Sequence, residues 1–263
     1  MSIYLNIAPC SWNKCKFCAY EFLKKDGTPT PDEMKKLIDR EMEEHVKKGQ
    51  PYVKIFNGGS WFYNEVPREL RDVVYNYLEE LNFKKLRVEN TFNLIIWDEI
   101  KELVDRGFDL TISWGLEAAN DRILKEVDKG VTIEKVGRML KRAKDLGIKN
   151  LVYLLAGLPT TTVEDYFETI DWIVERKDLI DEISVLTYTP IKGSYYYTHL
   201  WKTDQFTVIS KEDWKRCREY TREKLKDTNI SITFTTYNWR FYQGKKYSDV
   251  YKKKEKTVED QKE

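Results

Sequence analysis

Helix and strand signals take turns along this chain from residue 3 to about residue 187, and that alternation restricts the fold more than any single residue does. Ile3-Tyr4-Leu5-Asn6-Ile7-Ala8 alternates and is β-prone. Thr30-Pro31-Asp32-Glu33 is a cap-like start with proline at an early helical position, and a charged amphipathic helix is predicted from there to about residue 49. Further strands are predicted at 52–56, 85–89, 110–114, 151–155 and 182–186. Helices are predicted between them at about 67–82, 96–106, up to about 146, and 163–176. Six strands with intervening helices call for an α/β fold whose strands run parallel beneath their crossover helices. At 263 residues the chain is long enough for one large domain, or a core with a small appendage.

Past Thr189-Pro190 the character changes to Tyr195-Tyr196-Tyr197, Trp201 and Phe206, then a predicted helix near 210–226 and a strand at 230–234. The last stretch is aromatic and then lysine-rich. Between Arg240 and Glu263 there are eight Lys and Arg against five Asp and Glu. The expected division is therefore 1–190 as core and 191–263 as an extension that caps the core or binds substrate.

The whole chain carries 45 Lys and Arg against 44 Asp and Glu, which gives no support for a protein that coats nucleic acid through global charge but leaves room for a local basic face. Hydrophobic residues at 41% and aromatics at 14% are too many for a disordered chain. No apolar run approaches the roughly 18 residues a spanning helix needs. Met1-Ser2-Ile3-Tyr4-Leu5-Asn6 has neither a basic leader nor a long apolar stretch, and the expectation is a cytoplasmic protein without a membrane partner.

Three of the four cysteines, Cys10, Cys15 and Cys18, fall within nine residues directly after the first predicted strand. In a reducing compartment such a cluster points to metal rather than to disulfides. Three thiolates spaced x4 and x2 can hold one polynuclear centre and leave a coordination position open for a small molecule. The alternative is a structural zinc site closed by Cys217, although that cysteine sits alone in a helical pattern, Trp214-Lys215-Arg216-Cys217-Arg218. The loop's place favours the first reading, because α/β folds put their active sites at the carboxyl ends of the strands.

With Phe17 just before the last cysteine, this loop resembles the signature of the radical SAM family, from which it departs by one extra residue between Cys10 and Cys15. The resemblance implies a partial (β/α)6 barrel of TIM type over residues 1–190. It also implies that Cys10, Cys15 and Cys18 bind a [4Fe-4S] cluster whose open iron chelates S-adenosylmethionine. In the family that cofactor is reductively cleaved to a 5′-deoxyadenosyl radical, which takes a hydrogen atom from substrate. Asn57-Gly58-Gly59-Ser60 resembles the glycine-rich segment that receives the cofactor's amino group, where a close backbone approach is needed. By the same resemblance Glu89 and Asn90 bond the ribose, and Gly157 and Leu158 wall the adenine. Leu186 and Tyr188 after the sixth strand meet the adenine through the backbone. Gly115-Leu116-Glu117-Ala118-Ala119-Asn120-Asp121-Arg122, with Lys129-Gly130 downstream, is similar to the segment shared by the Elongator catalytic subunit and the methylthiotransferases. There Glu117 is expected at the barrel mouth and Arg122 against a carboxylate, both as cofactor-binding residues. A strand terminus and a surface ion pair are the plain alternative for these two.

Lys54-Ile55-Phe56-Asn57-Gly58-Gly59-Ser60-Trp61-Phe62, with Glu65-Val66-Pro67, Glu89 and the 115–122 segment, looks most like the radical SAM subunit of archaeosine synthase and its relatives. That branch implies modification of a deazaguanine base in tRNA, with a reductant protein such as a ferredoxin or flavodoxin and a partner subunit as further partners. Tyr237, Trp239, Phe241 and Tyr242, interleaved with Arg240, are the residue types that stack bases. They serve equally to cap a barrel. Two further readings remain open: the same chemistry on a small molecule or peptide, and a non-enzymatic zinc or Fe-S binding module. No general base or nucleophile can be nominated, because His45 and His199 stand near no nucleophile motif.

Overall fold

The computed structural model describes residues 2–20, 24–236 and 243–252. Seven strands make one sheet in sequential order: β1 (Ile3–Tyr4), β2 (Val53–Phe56), β3 (Lys85–Asn90), β4 (Asp109–Glu117), β5 (Lys149–Ala156), β6 (Glu182–Thr187) and β7 (Ser231–Thr235). The pairs β1–β2, β2–β3, β3–β4 and β6–β7 are parallel. Sequential order with parallel neighbours is the topology of a (β/α) barrel fold, here the partial TIM-barrel class. The helices are α1 (Pro31–Glu41), α2 (Arg68–Glu80), α3 (Trp97–Asp105), α4 (Asp121–Glu126), α5 (Ile133–Asp145), α6 (Val163–Val174) and α7 (Lys211–Leu225).

Local chemistry accounts for the helix starts. Thr30 and Glu33 form a reciprocal capping box at α1, with Pro31 inside the first turn, and Thr162 with Asp165 does the same for α6. Ser210 accepts from the Asp213 amide at 3.0 Å to cap α7. Two boundaries differ from the sequence pattern. β1 stops at Tyr4 because the Leu5 carbonyl is taken by the Tyr20 hydroxyl at 2.7 Å, which draws the chain out of the ladder. The helix predicted to run to about 146 is two helices. Between them Asp128 and Gly130 adopt left-handed φ of 55° and 70°. The Lys129 amide donates to Leu124 and the Asp128 amide to Lys125, closing α4 with the paired bonds of a Schellman motif.

The chain divides into two compact units, Met1–Asn13 with Tyr20–Gly115 and Glu134–Val152, and Lys14–Ala19 with Leu116–Ile133 and Tyr153–Glu263. In the first unit strand alternation separates two faces. Val53, Ile55, Leu86, Val88, Leu110 and Ile112 are buried on the apolar face. The helices contribute Met34, Ile38, Leu70, Val74 and Leu78 to the same unit's core. The opposite face carries Lys54, Arg87, Glu89, Thr111 and Ser113, in register as Lys54 with Arg87, Arg87 with Thr111 and Glu89 with Ser113. A sheet face this polar is where polar ligand chemistry is available. In the second unit Ala118, Ile123, Val127, Leu158, Tyr188 and Tyr196 form a buried cluster, against which Phe17 packs.

Candidate active site

The glycine-rich segment after β2 is held by carboxylates. Glu65 is 7% exposed; one of its oxygens accepts from the Ser11 amide and the other from the Ser60 amide, both at 2.5 Å. One buried side chain thus ties the residue following Cys10 to the segment Asn57–Ser60. Glu89 accepts from the Gly58 amide at 3.3 Å, and its carbonyl accepts from the Trp61 amide. Gly58 has φ +68°, and a Cβ there would fall 1.8 Å from the Tyr20 ring, so both the backbone and the ring above it require glycine. Tyr20 is fixed by donating its hydroxyl to the Leu5 carbonyl and the Asn6 side chain.

Asn57 and Asn90 differ in how their amides are used. Asn90 is fully engaged: its oxygen accepts from the Phe62 amide at 3.0 Å and its nitrogen donates to the carbonyls of Thr91 and Leu94 at 2.9 Å. Asn57 is buried, yet neither atom of its amide has a hydrogen-bond partner among the described residues. The Ser113 hydroxyl, beside Glu89 in register, is in the same condition. Buried amides without partners are uncommon and call for an explanation such as a ligand. Ser60 hydrogen-bonds Thr91 at 2.7 Å.

In the second unit the Cys15-Lys16-Phe17-Cys18 turn closes with the Cys18 amide donating to the Cys15 carbonyl at 3.1 Å. Its Lys16 amide donates to Val127, and its Lys16 carbonyl accepts from Tyr196, both at 3.0 Å. Phe17 thereby packs into the cluster that also holds Leu158 and Tyr188, so three predicted elements meet. Leu186 lies on β6 one residue before the buried Thr187 hydroxyl, which has no hydrogen-bond partner among the described residues. Gly157 has φ +81°, and a Cβ there would fall 2.7 Å from Ile209.

Glu117 ends β4 with φ 68°, and the Ala118 amide donates across it to Leu116, the pattern of a strained γ-turn. Its carboxylate binds the Lys129 ammonium at 2.7 Å, with both side chains under a tenth exposed. Arg122, by contrast, lies on exposed α4 and pairs with Asp165 and Glu126. Lys129, Glu65 and Tyr20 were not singled out as site residues by sequence reasoning. The Lys129-Gly130 pair and Glu65-Val66-Pro67 were visible as motif fragments, whereas nothing in the sequence points to Tyr20.

No disulfide joins the four cysteines; Cys10, Cys15 and Cys18 are half-buried, and Cys217 is buried. Burial pushes the Cys217 thiol up to about 12, which keeps it protonated and inert as a ligand. It lines a cavity of about 180 Å³ with Gly157, Thr162, Tyr166 and Ile209. Among the described residues no three His, Cys, Asp or Glu side chains converge as ligands to a single metal ion. Tyr237, Trp239, Arg240, Phe241 and Tyr242, expected to stack bases, lie outside the described residues. No helix among the described residues is long and apolar enough to cross a membrane.

The sequence profile described as the Radical SAM superfamily matches residues 5–173, well over half the chain. The chain belongs to the radical SAM superfamily. Its enzymes use a [4Fe-4S] cluster and S-adenosylmethionine. Among curated proteins, a Methanocaldococcus jannaschii protein named as a methylthiotransferase is 27% identical over 199 residues, covering 72% of this chain and 42% of that protein. The oxygen-independent coproporphyrinogen III oxidase of Helicobacter pylori is 23% identical over 205 residues, covering 73% and 43%. The chain thus spans less than half the length of these relatives. Among solved structures, archaeal Elp3 from Methanocaldococcus infernus superposes with a TM-score of 0.65 at 18% identity, over 87% of this chain and 59% of that one. A queuine lyase from Clostridium spiroforme superposes with a TM-score of 0.60 at 18% identity, over 89% of each chain. Both agree with the radical SAM partial barrel.

Proposed function

We propose that this radical SAM enzyme acts on a nucleobase of the deazaguanine type carried in tRNA, with Cys10, Cys15 and Cys18 as ligands of its [4Fe-4S] cluster. When bound, the cluster and S-adenosylmethionine supply a 5′-deoxyadenosyl radical that removes a hydrogen atom from substrate. The fit of the chain to these groups rests above all on Asn57, a buried amide with no partner among the described residues, at the end of β2 beside the glycine pair. In this reading Asn57 and the main chain of Gly58-Gly59-Ser60 receive the cofactor's amino end. Glu89 bonds the ribose, and Asn90 holds the turn that presents Glu89. Gly157, Leu158, Leu186 and Tyr188 line the adenine, with Leu158 and Tyr188 packed away from water. Arg122 is held by Asp165 in an exposed ion pair.

The choice of a deazaguanine in tRNA rests on the archaeosine-synthase-like segments 54–62, 65–67 and 115–122 and on the positive excess after residue 240. A second reading, a free deazaguanine base as substrate, is favoured by the queuine lyase that matches 89% of both chains. A ferredoxin- or flavodoxin-type reductant completes either proposal, with a partner subunit as a further candidate, in the cytoplasm. Anaerobic assays of 5′-deoxyadenosine formation separate the two substrates. Turnover dependent on tRNA bearing a modified deazaguanine, and salt-sensitive binding of that tRNA, support the first reading. Turnover with free queuine and none with tRNA supports the second. Stimulation by neither overturns both.

A further inference from the structure

Lys129 is the one lysine that is buried among the described residues, and its position is built rather than incidental. The Schellman closure of α4 places it three residues past the helix end, where the Lys16–Val127 backbone bond joins its loop to the cysteine turn. Its ammonium lies 2.7 Å from Glu117 and 5.4 Å from the centre of the Phe17 ring, the residue directly before Cys18. Taking Cys15 and Cys18 as cluster ligands, as proposed above, we propose that the Lys129–Glu117 pair sets the reduction potential of the cluster. Lys129 is a positioning residue in this role: its charge acts on the cluster through the thiolates, and Glu117 fixes and partly offsets that charge.

The physical argument is electrostatic. Burying a lysine is costly unless it is paired, and a pair held for stability alone is no better than an apolar contact. Paired with the Glu117 carboxylate at 2.7 Å, the lysine is held as a cation. One-electron reduction adds a negative charge to the cluster, and a fixed cation screened from water stabilises the reduced form more than the oxidised one. The strained backbone at Glu117 is consistent with a residue held in place for this purpose.

The test is a dithionite titration with redox mediators of the anaerobically reconstituted protein, followed by electron paramagnetic resonance without S-adenosylmethionine. Lys129→Met is expected to lower the ratio of reduced to oxidised cluster at a given potential about tenfold, which for one electron is a midpoint about 59 mV more negative. Lys129→Arg keeps the charge and restores the wild-type curve. Glu117→Gln removes the opposing charge and moves the midpoint the other way. If Lys129→Met retains no cluster, a more positive midpoint for Glu117→Gln than for Lys129→Arg and wild type carries the test. Superimposable titration curves in cluster-bearing variants, or shifts of Lys129→Met and Glu117→Gln in the same direction, overturn the proposal. A wild-type protein that takes up no iron overturns instead the ligand assignment on which it rests.

Discussion

The two units hold their candidate residues by different physical means. In the first, shape and neutral backbone groups dominate: Gly58 makes room for the Tyr20 ring, and Glu65 and Glu89 accept from the amides of Ser11, Ser60 and Gly58. In the second, charge and packing dominate: the cysteine turn is seated by Phe17 among Leu158 and Tyr188, with the Lys129–Glu117 pair alongside. The contrast follows from what each has to present. A glycine-rich backbone must be left bare and so is shaped by its supports, whereas thiolates carry charge and so are met by a cation. Substitutions in the first unit should therefore read out as lost shape, and those in the second as altered charge.

The largest effect is expected at the cysteines. Cys15→Ala leaves too few thiolates to retain a cluster and abolishes 5′-deoxyadenosine formation, whereas Cys217→Ala, a buried protonated thiol, leaves both nearly unchanged. Iron and sulfide analysis of the two variants checks this; equal losses would show that the ligand set is wrong. Next comes Glu65→Ala, which strips two amides of a charged acceptor in a buried place. It should cost about 3 kcal/mol by denaturant unfolding, since hydrogen bonds to charged groups are worth about 1.5–3 kcal/mol each. A loss below about 1 kcal/mol would mean that water replaces the carboxylate there.

Gly58→Ala sharpens the shape argument. The left-handed backbone costs roughly 1–2 kcal/mol for any residue with a Cβ, and displacement of the Tyr20 ring adds to it. Combining it with Tyr20→Ala should recover part of the loss in a double-mutant cycle. Strict additivity would remove the ring from the explanation.

A quieter change is expected at Asn57. Asn57→Leu removes no internal hydrogen bond, so the melting temperature of the protein without nucleotide should hold or rise. Affinity for S-adenosylmethionine, measured by calorimetry, should fall more than tenfold. Unaltered affinity would sever Asn57 from the cofactor. The smallest effect is expected for Arg122→Ala, an exposed pairing on α4 that should leave both melting and nucleotide affinity as they were. A weakened nucleotide complex would return Arg122 to the cofactor.

Much of the fold was legible because its signals are local. The capping box at Thr30 and Glu33, the Pro31 start, and the alternating apolar residues of Val53 and Ile55 each announce an element within a few residues. The cysteine loop was legible for the same reason: the three ligands sit in one short segment whose spacing itself carries the chemistry. What the sequence concealed depends on residues far apart in the chain. Tyr20 lies over Gly58 only because the chain leaves β1 at Leu5, and Glu65 reaches back to Ser11 across more than fifty residues. The break between α4 and α5 was hidden because Asp128, a non-glycine residue, adopts the left-handed conformation that glycine usually announces. That break is also what brings Lys129 to Glu117, so the misread boundary and the overlooked site residue have one cause.

The central claim is that the Cys10–Cys15–Cys18 loop carries an iron-sulfur cluster open to a sulfonium nucleotide. Electron paramagnetic resonance of the anaerobically reconstituted, reduced protein, recorded with and without S-adenosylmethionine, tests it most directly. The account predicts a spin-half [4Fe-4S] signal whose g-values change when the nucleotide is added and which is absent from Cys15→Ala. A protein without iron, or a cluster signal indifferent to the nucleotide, would contradict it.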